Sequence, residues 1–274
     1  MPSSVTLANL AQQIQVAQDE CHQIAPFTSQ FPDFDVPSAY MVADLVHKTR
    51  VQQGAVPVGR KIGFTNPDMW VIYGVQEPIW AYVYSDTVVR LDSSAYSICS
   101  IGKLAEPKIE PEIIFHFRTA PTASGDPLAI LDCIDWVAHG FEIVQSHFPG
   151  WKFQAADTVA DWALHGRLFV GEPQQFERLG PNLVAALQDF SLNLFCNGIL
   201  RETGTGGNVL GSPLLAIAHL ISVLAKQPEY APIQANELIT TGTITTAQSV
   251  QSGEIWRTQL QGIALPGISL EITP

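Results

Sequence analysis

The sequence predicts an α+β fold, a β-rich body built around one sheet system or barrel and preceded by a small helical N-terminal region. Three observations lead there. Apolar residues recur at helical spacing in the first 56 positions, short strand patterns bounded by Gly, Pro and Asn turns dominate from Pro57 onward, and long helices are few after that point. The expected division is a helical region over 1–56 packed on a β-rich body over 57–274 that carries the candidate site.

Composition bounds the function. The chain has 274 residues, of which 46% are hydrophobic, enough to bury a substantial core. Its formal net charge of −12 and the absence of basic patches argue against nucleic-acid and membrane partners, so a small-molecule ligand is expected. Cys21, Cys99, Cys133 and Cys196 are widely spaced and form no CxxC pair, which fits reduced thiols in a cytoplasmic protein. No signal sequence is visible at Met1–Val5, and no apolar run approaches the ~20 residues of a membrane span.

Taken in order, Leu7, Leu10, Ile14 and Ala17 make an amphipathic first helix with Thr6 as its cap. A connection over 27–37 precedes a second helix capped by Ser38 and ending near Gly54. Val58–Thr65 reads as a short strand breaking into a Gly-containing turn, a helical piece is expected around 68–73, and strands are expected where Gly74–Tyr84 alternates and at Val88–Leu91. The acidic strand in the stretch Ala105–Phe117 follows. Asp126-Pro127 opens a helix whose stripe is Leu128, Leu131, Ile134 and Val137 and which ends at Gly140. Strands at Phe141–Val144 and Leu168–Gly171, a hairpin turning at Asn197-Gly198, a helix from Ser212-Pro213, and strands over 237–243 and 256–272 complete the body. Gly204-Thr205-Gly206-Gly207 lacks the dinucleotide-binding pattern and reads as loop.

The chemistry concentrates at Glu110-Pro111-Glu112. On a strand these two carboxylates share a face while Ile113, Phe115 and Phe117 cover the other, and like charges against an apolar run are costly unless something positive lies between them. A divalent cation meets that need, and Glu142, flanked by apolar residues, supplies a third hard oxygen donor suited to Mg²⁺ or Mn²⁺. Each residue has a plainer reading too. Lys61, between Gly59 and Gly63, is either a lysine reaching from a strand to water or a partly desolvated cation offered to an anionic substrate. Glu142 is equally readable as the partner of a buried arginine. His116 shares the face of the glutamates, His165 is readable as a helix-end hydrogen bonder, and His139, His147 and His219 read as structural or solvated.

The runs Gly59-Arg60-Lys61-Ile62-Gly63-Phe64-Thr65, Gly74-Val75-Gln76-Glu77-Pro78, Lys108–Ile113, Phe141–Ser146 and Ala156–Asp161, followed by Val209–Pro213 and Leu238–Thr243, resemble the fumarylacetoacetate hydrolase superfamily. They look most like its branch of 2-keto-4-pentenoate hydratases and 4-oxalocrotonate decarboxylases, in the same order from about residue 38 to the end. The resemblance implies a mixed, β-barrel-like body of that type, a homo-oligomer, and an Mg²⁺ or Mn²⁺ ion held by Glu110, Glu112 and Glu142. It implies Lys61 in the active site; Asp157 and, as a substitute for a family group, His165 are taken as catalytic with it, and Arg60, Gly63, Thr65, Ile79, Leu164 and Thr243 are expected beside a 2-oxo acid substrate.

Two departures bear on the reaction. Ile79 stands where the hydratases carry an acidic residue after Glu-Pro, which favours decarboxylation over water addition. Trp162-Ala163-Leu164-His165 replaces an Asn-Ala-Ser-Ser loop, leaving His165 as a substitute polar group. The expected function is a divalent-metal-dependent lyase on a 2-oxo or 2-hydroxydienoate acid, of the hydratase type. The alternatives are a decarboxylase of the 4-oxalocrotonate type, a C–C hydrolase of an acylpyruvate if His165 reaches the substrate, and a non-catalytic 2-oxo acid binder.

Overall fold

Helices dominate the first 52 residues: α1 (Ser4–Glu20), α2 (Phe27–Gln30) and α3 (Val36–Gln52). The real caps lie three residues before the expected ones. Ser3 accepts from the Thr6 N–H and Asp35 from the Ser38 N–H, so each expected cap is the donor to the true one. The stretch expected as a plain connection contains α2, whose Thr28 is tied to Asp157 of the body.

The strands are β1 (Pro57–Gly63), β2 (Ile79–Tyr84), β3 (Val88–Arg90), β4 (Tyr96–Ser100) and β5 (Lys108–Phe117). After the short helix α4 (Pro127–Leu131) come β6 (Ile134–Val144), α5 (Ala155–Ala160), β7 (His165–Val170) and β8 (Gln174–Gln175). Then follow α6 (Leu183–Asp189), β9 (Ser191–Cys196), β10 (Ile199–Thr205), α7 (Pro213–Ala225), β11 (Leu238–Thr243), β12 (Gln248–Ser249), β13 (Ile255–Gln261) and β14 (Ser269–Thr273). This computed structural model describes residues 3–67, 70, 75–91, 95–123 and 125–274. Apart from Trp70, the helical piece expected over 68–73 lies outside them, as does Gly74.

The larger sheet runs β2-β1-β11-β5-β6-β7-β3, with β12 added to β5 and β8 to β6, and it curls into a half-barrel. It is mixed: β1 lies parallel to β11 and β3 to β7, and the other pairs are antiparallel. The second sheet runs β10-β9-β13-β14-β4. Its β9–β10 hairpin turns at Asn197 (φ 51°) and Gly198 (φ 78°), the two positive φ values of the expected type I′ turn.

The largest correction concerns 127–144. The helix begins at Pro127 with Asp126 as its cap, as expected, but stops at Leu131, and Ile134–Val144 is one strand rather than a helix end and a separate strand. Its residues are buried almost without interruption because β5 and β7 flank it and both its faces are covered. Such a strand reads as a continuous apolar run in which helical spacing can be found by chance. Gly140, expected to end a helix, instead permits close strand approach: a Cβ there would meet Ile114 Cδ1 at 2.4 Å and the Phe169 carbonyl oxygen at 2.5 Å.

Residues 206–225 are also long and apolar enough, by length and composition, to cross a membrane, contrary to the reading of the sequence. Most of that segment is buried inside the protein, with Leu214, Ile217, Leu220 and Leu224 of α7 in the main core.

Candidate metal centre and cleft

Strand register builds the site. Glu110 of β5 stands directly opposite Glu142 of β6, and Glu112 faces Gly140 two residues further along. One carboxylate oxygen from each of the three lies within 4.8 Å of the others. Lys61 enters from β1, paired in register with Thr240 of β11, and its Nζ is 2.9 Å from Glu142 Oε1.

The buried carboxylates are only half satisfied. Glu112 Oε2 accepts from the Thr240 hydroxyl and, at 2.8 Å, from the Gly242 N–H. Gly242 makes this possible with φ +94°, in a place where a Cβ would strike Thr65. Glu142 Oε1 takes Lys61 and, at 2.7 Å, His165 Nδ1. Glu112 Oε1 and Glu142 Oε2 have no partner although both carboxylates are fully buried. Buried oxygens in that state are expensive, and a hard divalent cation at the convergence of the three glutamates is the group that relieves them.

Charge counting agrees. Burial alone would favour the neutral form of Glu142, but Lys61 and the hydrogen bond from His165 outweigh it and hold its carboxyl below the usual range. Burial works against the Lys61 ammonium, and the three glutamates overcome it and raise its pKa. Lys61 and Glu142 thus form an ionised pair. Burial pushes Glu110 up to about 7 against the pull of Lys61, and burial with the neighbouring glutamates pushes Glu112 well above the carboxylate range. Their ionised forms are the ones without a compensating charge, and a divalent ion at the cluster would supply it.

A cleft of about 360 Å³ opens beside this cluster, within the range of small-molecule pockets. Lys61, Gly63, Thr65, Ile79, Glu110, Leu164 and Thr243, all singled out in the sequence, line it. Glu112 and Glu142 are fully buried and do not line it, and neither do three other expected site residues. Arg60 alternates to the opposite side of β1, where its guanidinium lies over Trp80 and Tyr82 and 3.2 Å from Glu237, away from the cleft. Asp157 is buried as the third residue of α5, accepting from the Gln154 and Thr28 N–H groups and the Thr28 hydroxyl, and works as a cap. His165 is buried and does not line the cleft, with Nδ1 2.7 Å from Glu142 Oε1 and Nε2 2.8 Å from the Thr87 hydroxyl, an arrangement that fixes the glutamate. His116, on the glutamate face by parity, pairs with Asp135 and stacks on Trp136.

The sequence reading missed Thr240 and Gly242 as the groups holding Glu112, although both stand in the quoted Leu238–Thr243 run. It also missed the aromatic wall of Trp151 and Phe153, and Lys108, as cleft residues. The turn Trp162-Ala163-Leu164 has three consecutive positive φ values, 55°, 46° and 63°, none on glycine. Backbone strain of this kind gathers at functional sites, and here Ala163 and Leu164 face the cleft while His165 leads to Glu142.

No family model matches the chain. It is 31% identical over 224 residues to 2-hydroxypent-2,4-dienoate hydratase of Pseudomonas putida, covering 80% of this chain and 96% of the relative. Its fold superimposes on 4-oxalocrotonate decarboxylase from Pseudomonas putida G7, complexed with magnesium and adipate, with TM-score 0.90 at 27% identity over 99% of both chains. A fumarylpyruvate hydrolase from Pseudomonas aeruginosa shares the fold at TM-score 0.59 and 13% identity, over 80% of this chain and 90% of the other.

Proposed function

We propose, since the chain belongs to the hydratase and decarboxylase branch of the fumarylacetoacetate hydrolase superfamily, that it is a divalent-metal-dependent lyase acting on a 2-oxo or 2-hydroxydienoate acid, of the 2-keto-4-pentenoate hydratase type. The observation that carries this is the convergence of Glu110, Glu112 and Glu142, with two buried carboxylate oxygens unpartnered, beside a cleft lined by Glu110 and Lys61. Glu110, Glu112 and Glu142 would hold Mg²⁺ or Mn²⁺, and the ion would supply Lewis-acid stabilisation of negative charge developing on the 2-oxygen of a bound acid.

The chain's own groups then have distinct parts. Lys61, kept as an ammonium by Glu142, offers a proton and a positive charge to the 2-oxygen rather than acting as a base. His165 and Thr87 fix the orientation of Glu142, and Thr240 and Gly242 fix Glu112. Thr65 and Thr243 supply hydroxyls along the cleft, and Ile79 and Leu164 exclude water from its wall.

Ile79 favours a second reading, the decarboxylase of the 4-oxalocrotonate type, because an apolar wall gives an attacking water no partner and destabilises a charged carboxylate relative to the neutral CO₂ it leaves as. The C–C hydrolase loses its support, because His165 faces Glu142 instead of the cleft. Incubating the purified protein and Mg²⁺ with 2-hydroxypenta-2,4-dienoate and with 4-oxalocrotonate, while following water addition and CO₂ release separately, tests the assignment. Turnover of neither compound would leave the non-catalytic binder. We also take the protein to be a cytoplasmic homo-oligomer, with 1–56 packed on 57–274 as a helical region. Light scattering on the purified chain tests the oligomer.

A further inference from the structure

The second sheet has one covered face and one open one. Leu194, Trp256, Leu270 and Ile272 point from it into the main core, and by strand alternation their neighbours Phe195, Ile255, Arg257 and Glu271 point the other way. That outer face meets solvent: Tyr96, Ile98, Leu200 and Ile255 are 41%, 56%, 51% and 45% exposed. Register joins these side chains into one patch. One row crosses the sheet as Leu200, Phe195, Arg257, Ser269 and Tyr96, and the next, two residues along the strands, as Ile255, Glu271 and Ile98. With strands ~4.8 Å apart, the patch runs about 19 Å from β10 to β4. Single apolar residues on a surface need no explanation, whereas a contiguous set marks an interaction surface.

The charges on the patch point to its partner. The chain carries a formal −12, so two copies repel one another over most of their surfaces. Here one cation and one anion stand on neighbouring strands, Arg257 on β13 and Glu271 on β14, and the patch as a whole is neutral. The Arg257 guanidinium has no ion pair or hydrogen bond among the described residues, while the Glu271 carboxylate is held by the Tyr96 hydroxyl. A surface that presents both signs beside apolar side chains is complementary to itself, which a contact between identical chains about a two-fold axis requires. We propose that the outer face of the β10-β9-β13-β14-β4 sheet is the contact between two copies of this chain, with Ile98 and Ile255 in its apolar part and Arg257 of each copy paired with Glu271 of the other. This assignment rests on the homo-oligomer proposed above and adds the surface and the side chains that form it.

Sedimentation velocity on the native chain and on Arg257→Glu, Glu271→Arg and Ile98→Asp tests this contact, with circular dichroism to follow the fold. The native chain is expected to associate, and all three variants to keep its circular dichroism, because the substituted side chains point to solvent. Each substitution should weaken association roughly tenfold or more, since it sets like charges together or places a charge against an apolar partner. An equal mixture of Arg257→Glu and Glu271→Arg should recover it, because every pair across the contact is then opposite in charge. A native oligomer that survives all three substitutions, or charge variants whose mixture associates no better than either alone, would overturn this surface and leave the homo-oligomer standing. A native chain that sediments as a monomer would instead overturn the homo-oligomer, and this contact with it.

Discussion

Lys61 Nζ stands 2.9 Å from Glu142 Oε1, with no more than 4% of either side chain exposed to solvent. A buried ion pair of this kind costs desolvation on both sides and is kept where the charges are needed. Removing one partner leaves the other uncompensated. Lys61→Met is expected to destabilise the metal-free protein by about 3–5 kcal/mol, with a smaller loss when Mg²⁺ is present to neutralise Glu142. Its kcat should fall by roughly 10²-fold or more, the usual effect of losing a donor to developing charge. Urea unfolding with and without Mg²⁺, beside steady-state kinetics, measures both.

His139 gives stability a pH dependence. It lies buried on β6 with Nδ1 3.0 Å from the Glu112 carbonyl oxygen and Nε2 2.8 Å from the Thr258 hydroxyl, and burial pushes its pKa down to about 4. The unfolded chain takes up this proton near the ordinary value of about 6.5. Its contribution is therefore complete above that pH and is lost as pH falls toward 4, by up to about 3 kcal/mol. Glu110 acts in the opposite sense, since its carboxyl, raised to about 7 in the folded chain, favours the folded state as pH drops through 7 toward its ordinary range. The difference in unfolding free energy between the native chain and His139→Gln, measured at pH 7.5, 5.5 and 4.5, cancels the glutamate contribution. That difference should shrink as pH falls, and a constant difference would contradict a neutral buried His139.

The left-handed turn at Trp162–Leu164 makes a contrasting prediction. Ala-to-Gly substitution in a helix such as α5 costs about 1 kcal/mol, as expected for Ala156→Gly. At Ala163, with φ 46°, glycine relieves strain of roughly the same size, so Ala163→Gly should be neutral or stabilising in thermal unfolding despite the loss of a buried methyl. A loss equal to that of Ala156→Gly would mean the turn carries no strain.

Much of the site was legible because strand parity is local. Glu110 and Glu112 share a face of β5 by spacing alone, and Gly59–Gly63 announces the strand that carries Lys61. What could not be read depends on which strands become neighbours. Parity put His116 with the glutamates, but at that end of β5 the partner is Trp136, and the histidine stacks there. Arg60 and Lys61 are adjacent in sequence and separated by the thickness of the sheet, so a motif containing both cannot assign both to one cleft. His165 looked like a replacement for a substrate-binding group. Its actual partner, Glu142, comes from the neighbouring strand β6, a contact set by the β6–β7 register. The Ile134–Val144 strand was misread for a related reason, because burial on both faces erases the alternation that identifies a strand.

The central claim is that Glu110, Glu112 and Glu142 hold one divalent ion, and calorimetric titration of Mg²⁺ into the metal-free chain tests it most directly. The arrangement predicts one ion per chain, with binding lost in Glu112→Gln and in Glu142→Gln while circular dichroism reports an intact fold. Unchanged Mg²⁺ affinity in these folded variants, or an ion that binds at a stoichiometry unrelated to the chain, would contradict it.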